Sequence, residues 1–184
     1  MALSDVQAVF FTADTNAADV ASVSANERPN TSFTIGGTDT SGGVATFSAG
    51  RIITCTTTGT GDSGKTVTIT GTDVNGDAQT EVITLPGSAT TTAGTKYFRT
   101  VTAAEASTQP AANVSIGMSG AAGDVIFAGR SRLKGVFTVN SATAGVINFT
   151  NASPAGTALM KLGTVASATV SRDVTVPDEG VVFS

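Results

Sequence analysis

Along almost the whole chain apolar residues fall at every second position, in short runs of Thr, Val, Ile and Phe broken by Gly, Asn, Asp and Ala–Gly tracts. Such a period sends successive side chains to opposite faces and so specifies half-buried strands, whereas an amphipathic helix needs a period near 3.6. Strands are expected at Val6–Thr12, Ser32–Ile35, Val44–Ala49, Ile52–Thr57, Thr66–Gly71, Gln79–Leu85 and Tyr97–Val101. Further strands are expected at Asn113–Ile116, Val125–Phe127, Leu133–Asn140, Val146–Asn151, Ala158–Gly163, Asp173–Val176 and Val181–Ser184. Their spacing of roughly 8–14 residues fits antiparallel sandwiches, not alternating helices and strands. Only Asn16–Val23 and Ala103–Ser107 leave room for a helical turn, and both are short and mixed with Ser, Thr or Asn.

The fold class expected is therefore all-β: two antiparallel β-sandwich modules with an extended N-terminal arm. The GMSGAAG stretch, Gly117–Gly123, lies between two strand-dense regions and marks the expected domain junction. On that basis residues 1–30 form the arm, 31–120 a Thr-rich sandwich and 121–184 a smaller β-domain.

Composition limits the partners. A chain of 184 residues with 40% hydrophobic residues can fill a core, but its ten basic residues are scattered and its net charge is −4. The one local basic group, Arg130–Lys134, is too small to track a nucleic-acid backbone, so nucleic acid is not an expected partner. No window approaches the ~18 apolar residues of a membrane span, and MALSDVQAVFF lacks the basic start and long apolar run of a signal peptide. Neither secretion nor membrane insertion is expected. The single cysteine, Cys55, follows Ile52 and Ile53 in a predicted strand and reads as a packed thiol.

Two stretches suggest chemistry. Gly59–Thr66, GTGDSGKT, satisfies the phosphate-loop pattern G-x-x-x-x-G-K-[ST]. A phosphate loop must open a helix whose first amides face the phosphates, but here Lys65-Thr66 leads into the strand pattern TVTITG. The stretch is expected to be a polar hairpin loop joining Ile52–Thr57 to Thr66–Gly71. Gly71–Glu81, GTDVNGDAQTE, sets Asp73, Asn75 and Asp77 at the first three ligand positions of a calcium loop. Position 6 is Ala78 where Gly is needed, and position 12 is Thr84 where a bidentate Glu is needed, so no metal site is assigned. Asn75-Gly76 is the favoured pair for a two-residue type I′ hairpin turn. That register puts Ile69 opposite Val82 and Val67 opposite Thr84. TIGGTDTSGGVAT (Thr34–Thr46) echoes TITGTDVNGDAQT (Thr68–Thr80), retaining the turn character but not Asp77.

A catalytic reading has little support. The chain has no histidine, which removes Ser-His-Asp and His-based zinc chemistry. The adjacent acids Asp178-Glu179 sit in the turn sequence PDEG, and Asp62, Asp73, Asp77 and Asp124 neighbour glycines in predicted turns. With no Trp and one Tyr, an aromatic sugar-binding cleft is also unsupported. No catalytic residue and no cofactor are assigned, and the chain is not expected to be an enzyme.

The run from Arg130 to Ser184 resembles a β-module of structural proteins in tailed bacteriophages, marine ones especially. Its pieces are a Leu-Lys-Gly-Val strand at Leu133–Val136, Thr-Ala-Gly-Val-Ile at Thr143–Ile147, an aliphatic strand at Ala158–Leu162 and a Pro-x-x-Gly turn at Pro177–Gly180. KTVTITGTDVNGDAQTEVITLPG and the later KYFRTV are similar to Thr-rich segments of such proteins, so the resemblance spans about three quarters of the chain. It implies an accessory virion protein that decorates or cements the capsid. Its partners would be the major capsid protein, other virion proteins and copies of itself, with trimers the expected oligomer. A tail or fibre component with receptor- or glycan-binding loops, bearing Lys96, Tyr97 and Asp124 at its tip, is the alternative. The module is expected to run on past Val181–Phe183 into another strand, so either the sequence is shortened or a neighbouring subunit completes the last sheet. In the arm, Val6, Val9, Phe10 and Phe11 are too apolar to be left in water and are the candidate partner-binding residues.

Overall fold

The computed structural model describes residues 8–10, 17–127, 129–139, 144–151, 154–164, 171–175 and 180–183. Their regular structure is entirely strand: β1 (Asp19–Glu27), β2 (Thr40–Ser41), β3 (Val44–Thr57), β4 (Thr66–Thr72), β5 (Ala78–Thr84), β6 (Thr91–Ala106) and β7 (Val114–Gly123). Then come β8 (Ser131–Leu133), β9 (Gly135–Val139), β10 (Gly145–Thr150), β11 (Ala158–Thr164), β12 (Ser171–Thr175) and β13 (Val181–Phe183). The chain divides into two units, Met1–Asp124 and Val125–Ser184. The all-β antiparallel class read from the sequence holds.

In the first unit β1 to β7 form one antiparallel sheet of order β1-β7-β3-β6-β4-β5, with β2 beside β3. Two long strands let this sheet turn back over a single core. Thr91–Val101 of β6 pair with β3 and Thr100–Ala106 pair with β4, so the two ladders overlap at Thr100 and Val101. Register shifts in β3 around residues 46–54, and in β6 opposite them, make the corner. The inner faces then meet in one cluster that includes Val23, Ile53, Val67, Ile69, Ile83, Phe98, Val101 and Ile116. Phe33 closes it from a loop whose backbone bonds to Ala104 and Ala106, so the strand expected at Ser32–Ile35 is reduced to a single bridge.

Several sequence-based boundaries are corrected. The segment 1–30 is not one arm, because β1 pairs with β7 and contributes Val23 to the core. The outer edge of β1 is covered in turn by Gly36–Asp39, whose amides donate to the Ala21, Ser22 and Val23 carbonyls. Gly117–Gly123 is no junction but the second half of β7, paired along β3. A β-carbon at Gly117 would collide with the backbone of Asp19 and Val20, so this glycine serves close strand approach, not a chain break. The division falls after Asp124 instead of after residue 120. Val44–Ala49 and Ile52–Thr57 are one strand, both candidate helical stretches lie largely in strands, and Val125–Phe127 is not a strand. Most of the strand expected at Val6–Thr12 lies outside the described residues.

The β4–β5 hairpin forms, but one residue out of the expected register: Val67 faces Ile83 and Ile69 faces Glu81. The cause is the turn. The Asp73 carbonyl accepts the Gly76 amide at 3.2 Å, and Asp73 and Asp77 pair through an amide-to-carbonyl bond of 2.9 Å. Asp73 Oδ1 accepts the amides of Asn75 at 2.8 Å and Asp77 at 3.0 Å. Only Gly76 in this turn takes a positive φ, 89°. This is a three-residue loop, a type I turn closed by a left-handed glycine, in place of the two-residue type I′ turn. The slip exchanges faces: Ile83 is 2% exposed and Val82 62%.

The second unit consists of three separate two-stranded ribbons, β8–β13, β9–β12 and β10–β11, nested in sequence around the β10–β11 connection. Among its described residues Leu162 is the one buried large apolar side chain, while Phe137, Val146, Leu159 and Val182 are exposed. Among its described residues this unit has no counterpart of the first unit's core.

The register makes a direct prediction. Ile83→Ala should cost about 2–4 kcal/mol in denaturant unfolding, whereas Val82→Thr should stay within about 0.5 kcal/mol of the parent. The two-residue-turn register requires the opposite ranking.

Candidate functional site

The GTGDSGKT stretch is where the sequence most nearly offers catalysis, and its geometry shows what it does. It links β3 to β4, but these strands flank β6 and do not pair, so the expected hairpin is in fact a crossing between the two sides of β6. No helix follows Lys65; β4 begins at Thr66. The carboxylate of Asp62 is inaccessible to solvent and accepts the amides of Ala111 at 2.5 Å and Ala112 at 3.2 Å. Lys65 Nζ donates to Asp62 Oδ1 at 3.1 Å and to the Gln109 carbonyl at 3.0 Å. From the other side Arg28 Nε donates to the Pro110 carbonyl at 2.6 Å, and Gln109 Nε2 to Asn30 Oδ1 at 2.8 Å. Three loops are thereby stapled at one end of the first unit. Burial alone would raise the Asp62 pKa, but the two amides and the Lys65 ammonium favour the charged form, and the net shift is downward. The groups that would hold a phosphate are committed to the fold.

A second polar cluster lies along β5. Gln79 and Glu81 share the core-side face with Ile83, which would be costly if their polar atoms were unpaired. Each reaches backbone instead. Glu81 Oε1 accepts the Thr95 amide at 2.6 Å, the Thr95 hydroxyl at 2.9 Å and the Lys96 amide at 3.2 Å, and Gln79 Nε2 donates to the Tyr97 carbonyl at 2.8 Å. Lys96 Nζ returns to the Thr80 carbonyl at 2.7 Å. Alternation does not reveal this clasp, because two polar residues at core positions read as an outward face.

The remaining candidates fall in the same pattern. Lys96 is tied to β5, Tyr97 is half-buried, and Asp124 pairs with Arg99 at 3.1 Å, so these three do not form a free binding tip. Cys55 is buried in the core, where burial, with the Glu81 charge adding to it, pushes the thiol pKa up to about 12; it is no nucleophile at neutral pH. Asp73 directs its carboxylate at its own turn amides, and Asp77 is exposed beside it. Among the described residues no group of three or more His, Cys, Asp or Glu is placed to hold a metal ion. Arg51 is the largest fully buried side chain, and Nη1 donates to the Ser119 carbonyl at 3.3 Å. Nothing in its alternation pattern announced a buried guanidinium. Of the arm residues, Val9 is exposed and Phe10 is 97% exposed, whereas Val6 and Phe11 lie outside the described residues, as do Asp178 and Glu179.

Comparison with protein-family models, with curated proteins and with solved structures finds no match to this chain.

The Asp62 staple has a pH signature. A lowered folded-state pKa stabilises the fold above the ordinary carboxylate range, and that contribution is lost as pH falls through the folded value. Asp62→Ala should cost about 1–3 kcal/mol at neutral pH. Its loss of stability on acidification should also be shallower than the parent's, read from unfolding curves at a series of pH values.

Proposed function

We propose that this chain is a structural protein of a tailed-bacteriophage virion that decorates or cements the capsid shell and acts by protein–protein adhesion. The observation that carries the reading is the contrast between the two units. The first buries a continuous apolar core, while the second leaves Phe137, Val146, Leu159 and Val182 exposed on two-stranded ribbons. A lone two-stranded ribbon is marginally stable in water, and exposed apolar faces of this kind mark protein-binding surfaces. Val9 and Phe10, ahead of β1, add apolar surface. The polar clusters of the first unit brace loops and strands, which supports a scaffold role over a catalytic one. The resemblance of Arg130–Ser184 to a virion β-module supports placing the partners in a phage particle: the major capsid protein, other virion proteins and further copies of this chain.

The arm test follows from the position of β1. Removing residues 1–18 should leave cooperative unfolding intact but abolish co-sedimentation with particles that lack this protein. Removing residues 1–30 should instead unfold the first unit, because β7 loses its outer neighbour β1 and the core loses Val23. Undiminished particle binding by the shorter truncation would overturn the arm's role. On particles, quantitative mass spectrometry should find tens to hundreds of copies, whereas a tail component would be present in few.

A further inference from the structure

We infer that Asn75 is a site of spontaneous backbone modification, converting through a succinimide to aspartate and isoaspartate at the tip of the β4–β5 hairpin. In this reaction the Gly76 backbone nitrogen, after losing its proton to base, attacks Cγ of Asn75. A C–N bond closes the five-membered ring and the side-chain nitrogen leaves as ammonia. Water then opens the ring at either carbonyl, giving aspartate or isoaspartate. Water is consumed, ammonia is released, and no oxidant or reductant is needed.

Several observations place the reaction here. Asn75-Gly76 is the only Asn-Gly pair in the sequence, and both residues are exposed. Gly76 has no side chain to hinder the approach of its nitrogen to Asn75 Cγ. Its amide is held by one bond, to the Asp73 carbonyl at 3.2 Å, the long end of the hydrogen-bonding range. The Asn75 carboxamide is held only by a 3.4 Å contact from Nδ2 to Asp73 Oδ2, so it can rotate into the attacking geometry. The turn also lies beyond the last β4–β5 ladder pair, Thr72 with Ala78, where local opening costs least.

The consequence is structural. Either product puts a new carboxylate beside Asp73 and Asp77 and makes a chain of net charge −4 one unit more negative. Isoaspartate also inserts a carbon into the backbone of a turn that the Asp73 bonds hold to three residues. The neighbouring Val74 lies over Gly50 at the corner of β3, so closely that a β-carbon there would collide with it. A lengthened tip disturbs that contact.

The intact protein is incubated at mildly alkaline pH and physiological temperature, beside an aliquot in urea, and both are digested with trypsin. The peptide Thr66–Lys96 contains Asn75 as its only asparagine. The native sample should gain the mass of an amide-to-acid exchange in this peptide, with isoaspartate detected by isoaspartyl methyltransferase. More acidic species should grow on ion exchange, and Tm should fall with their fraction. Asn75→Asp should start as the acidic species and form far less isoaspartate. Asn75→Gln, whose longer side chain disfavours ring closure, should form none. The inference is overturned if the urea sample converts while the native peptide keeps its mass. It is equally overturned if the mass gain lacks isoaspartate, which would point to Gln79, or if isoaspartate maps only to other peptides.

Discussion

The first unit depends on β6 serving two neighbours in succession. From Thr91 to Val101 it pairs with β3 and from Thr100 to Ala106 with β4, so that Thr100 and Val101 are held on both sides where one ladder hands over to the other. Backbone N–H and C=O groups buried without partners cost as much as lost hydrogen bonds, so a sheet that turns over its own core needs a strand that carries pairing around the corner. The register shifts in β3 and β6 absorb the geometric mismatch there. Every other element takes its place from this corner. Strand β7 lies on the free side of β3 and β1 lies beyond it, while the β4–β5 hairpin lies on the free side of β6.

Polar groups inside this unit obey the same constraint. Asp62 accepts backbone amides across a loop contact, Glu81 accepts the amides of the irregular stretch in β6, and Arg51 donates to a carbonyl of β7. In each case a side chain supplies the partner that irregular backbone would otherwise lack. Low local dielectric makes such bonds strong when complete and costly when broken. The GTGDSGKT stretch, which matches a phosphate loop in sequence, instead supplies Asp62 and Lys65 as partners for the backbone of the loop at Gln109–Ala112.

Alternation and turn residues made the strands legible, and in most cases their positions to within a few residues. They did so because a half-buried strand must show period two whatever its neighbours are. Register and order were less accessible. Asn75-Gly76 argued for a two-residue turn, but the Asp73 carboxylate, which bonds the amides two and four residues ahead, stabilises a three-residue loop and moves every β5 side chain to the other face. Gly117–Gly123 looked like a linker because small residues mark both chain breaks and close strand approach, and only the position of Asp19 and Val20 separates the two. Likewise β1 read as part of an arm because its pairing partner lies about ninety residues away in sequence. Asp62 was visible as a turn acid, but its amide partners belong to another loop, and no local pattern announces such a contact.

The two units differ in how they meet the entropy of ordering a chain. That entropy is about 1–2 kcal/mol per residue for the backbone alone, and only buried area and paired backbone offset it. The first unit finds both within its own sequence. The second finds hydrogen bonds within each ribbon, but its described residues bury little apolar area beyond Leu162. Lengthening the ribbons would not repair this, because a two-stranded ribbon has no layer to pack against unless another surface supplies one. Any surface that covered Phe137, Val146, Leu159 and Val182 would supply that layer, and the stability of the second unit would then rise with the concentration and affinity of whatever covers it.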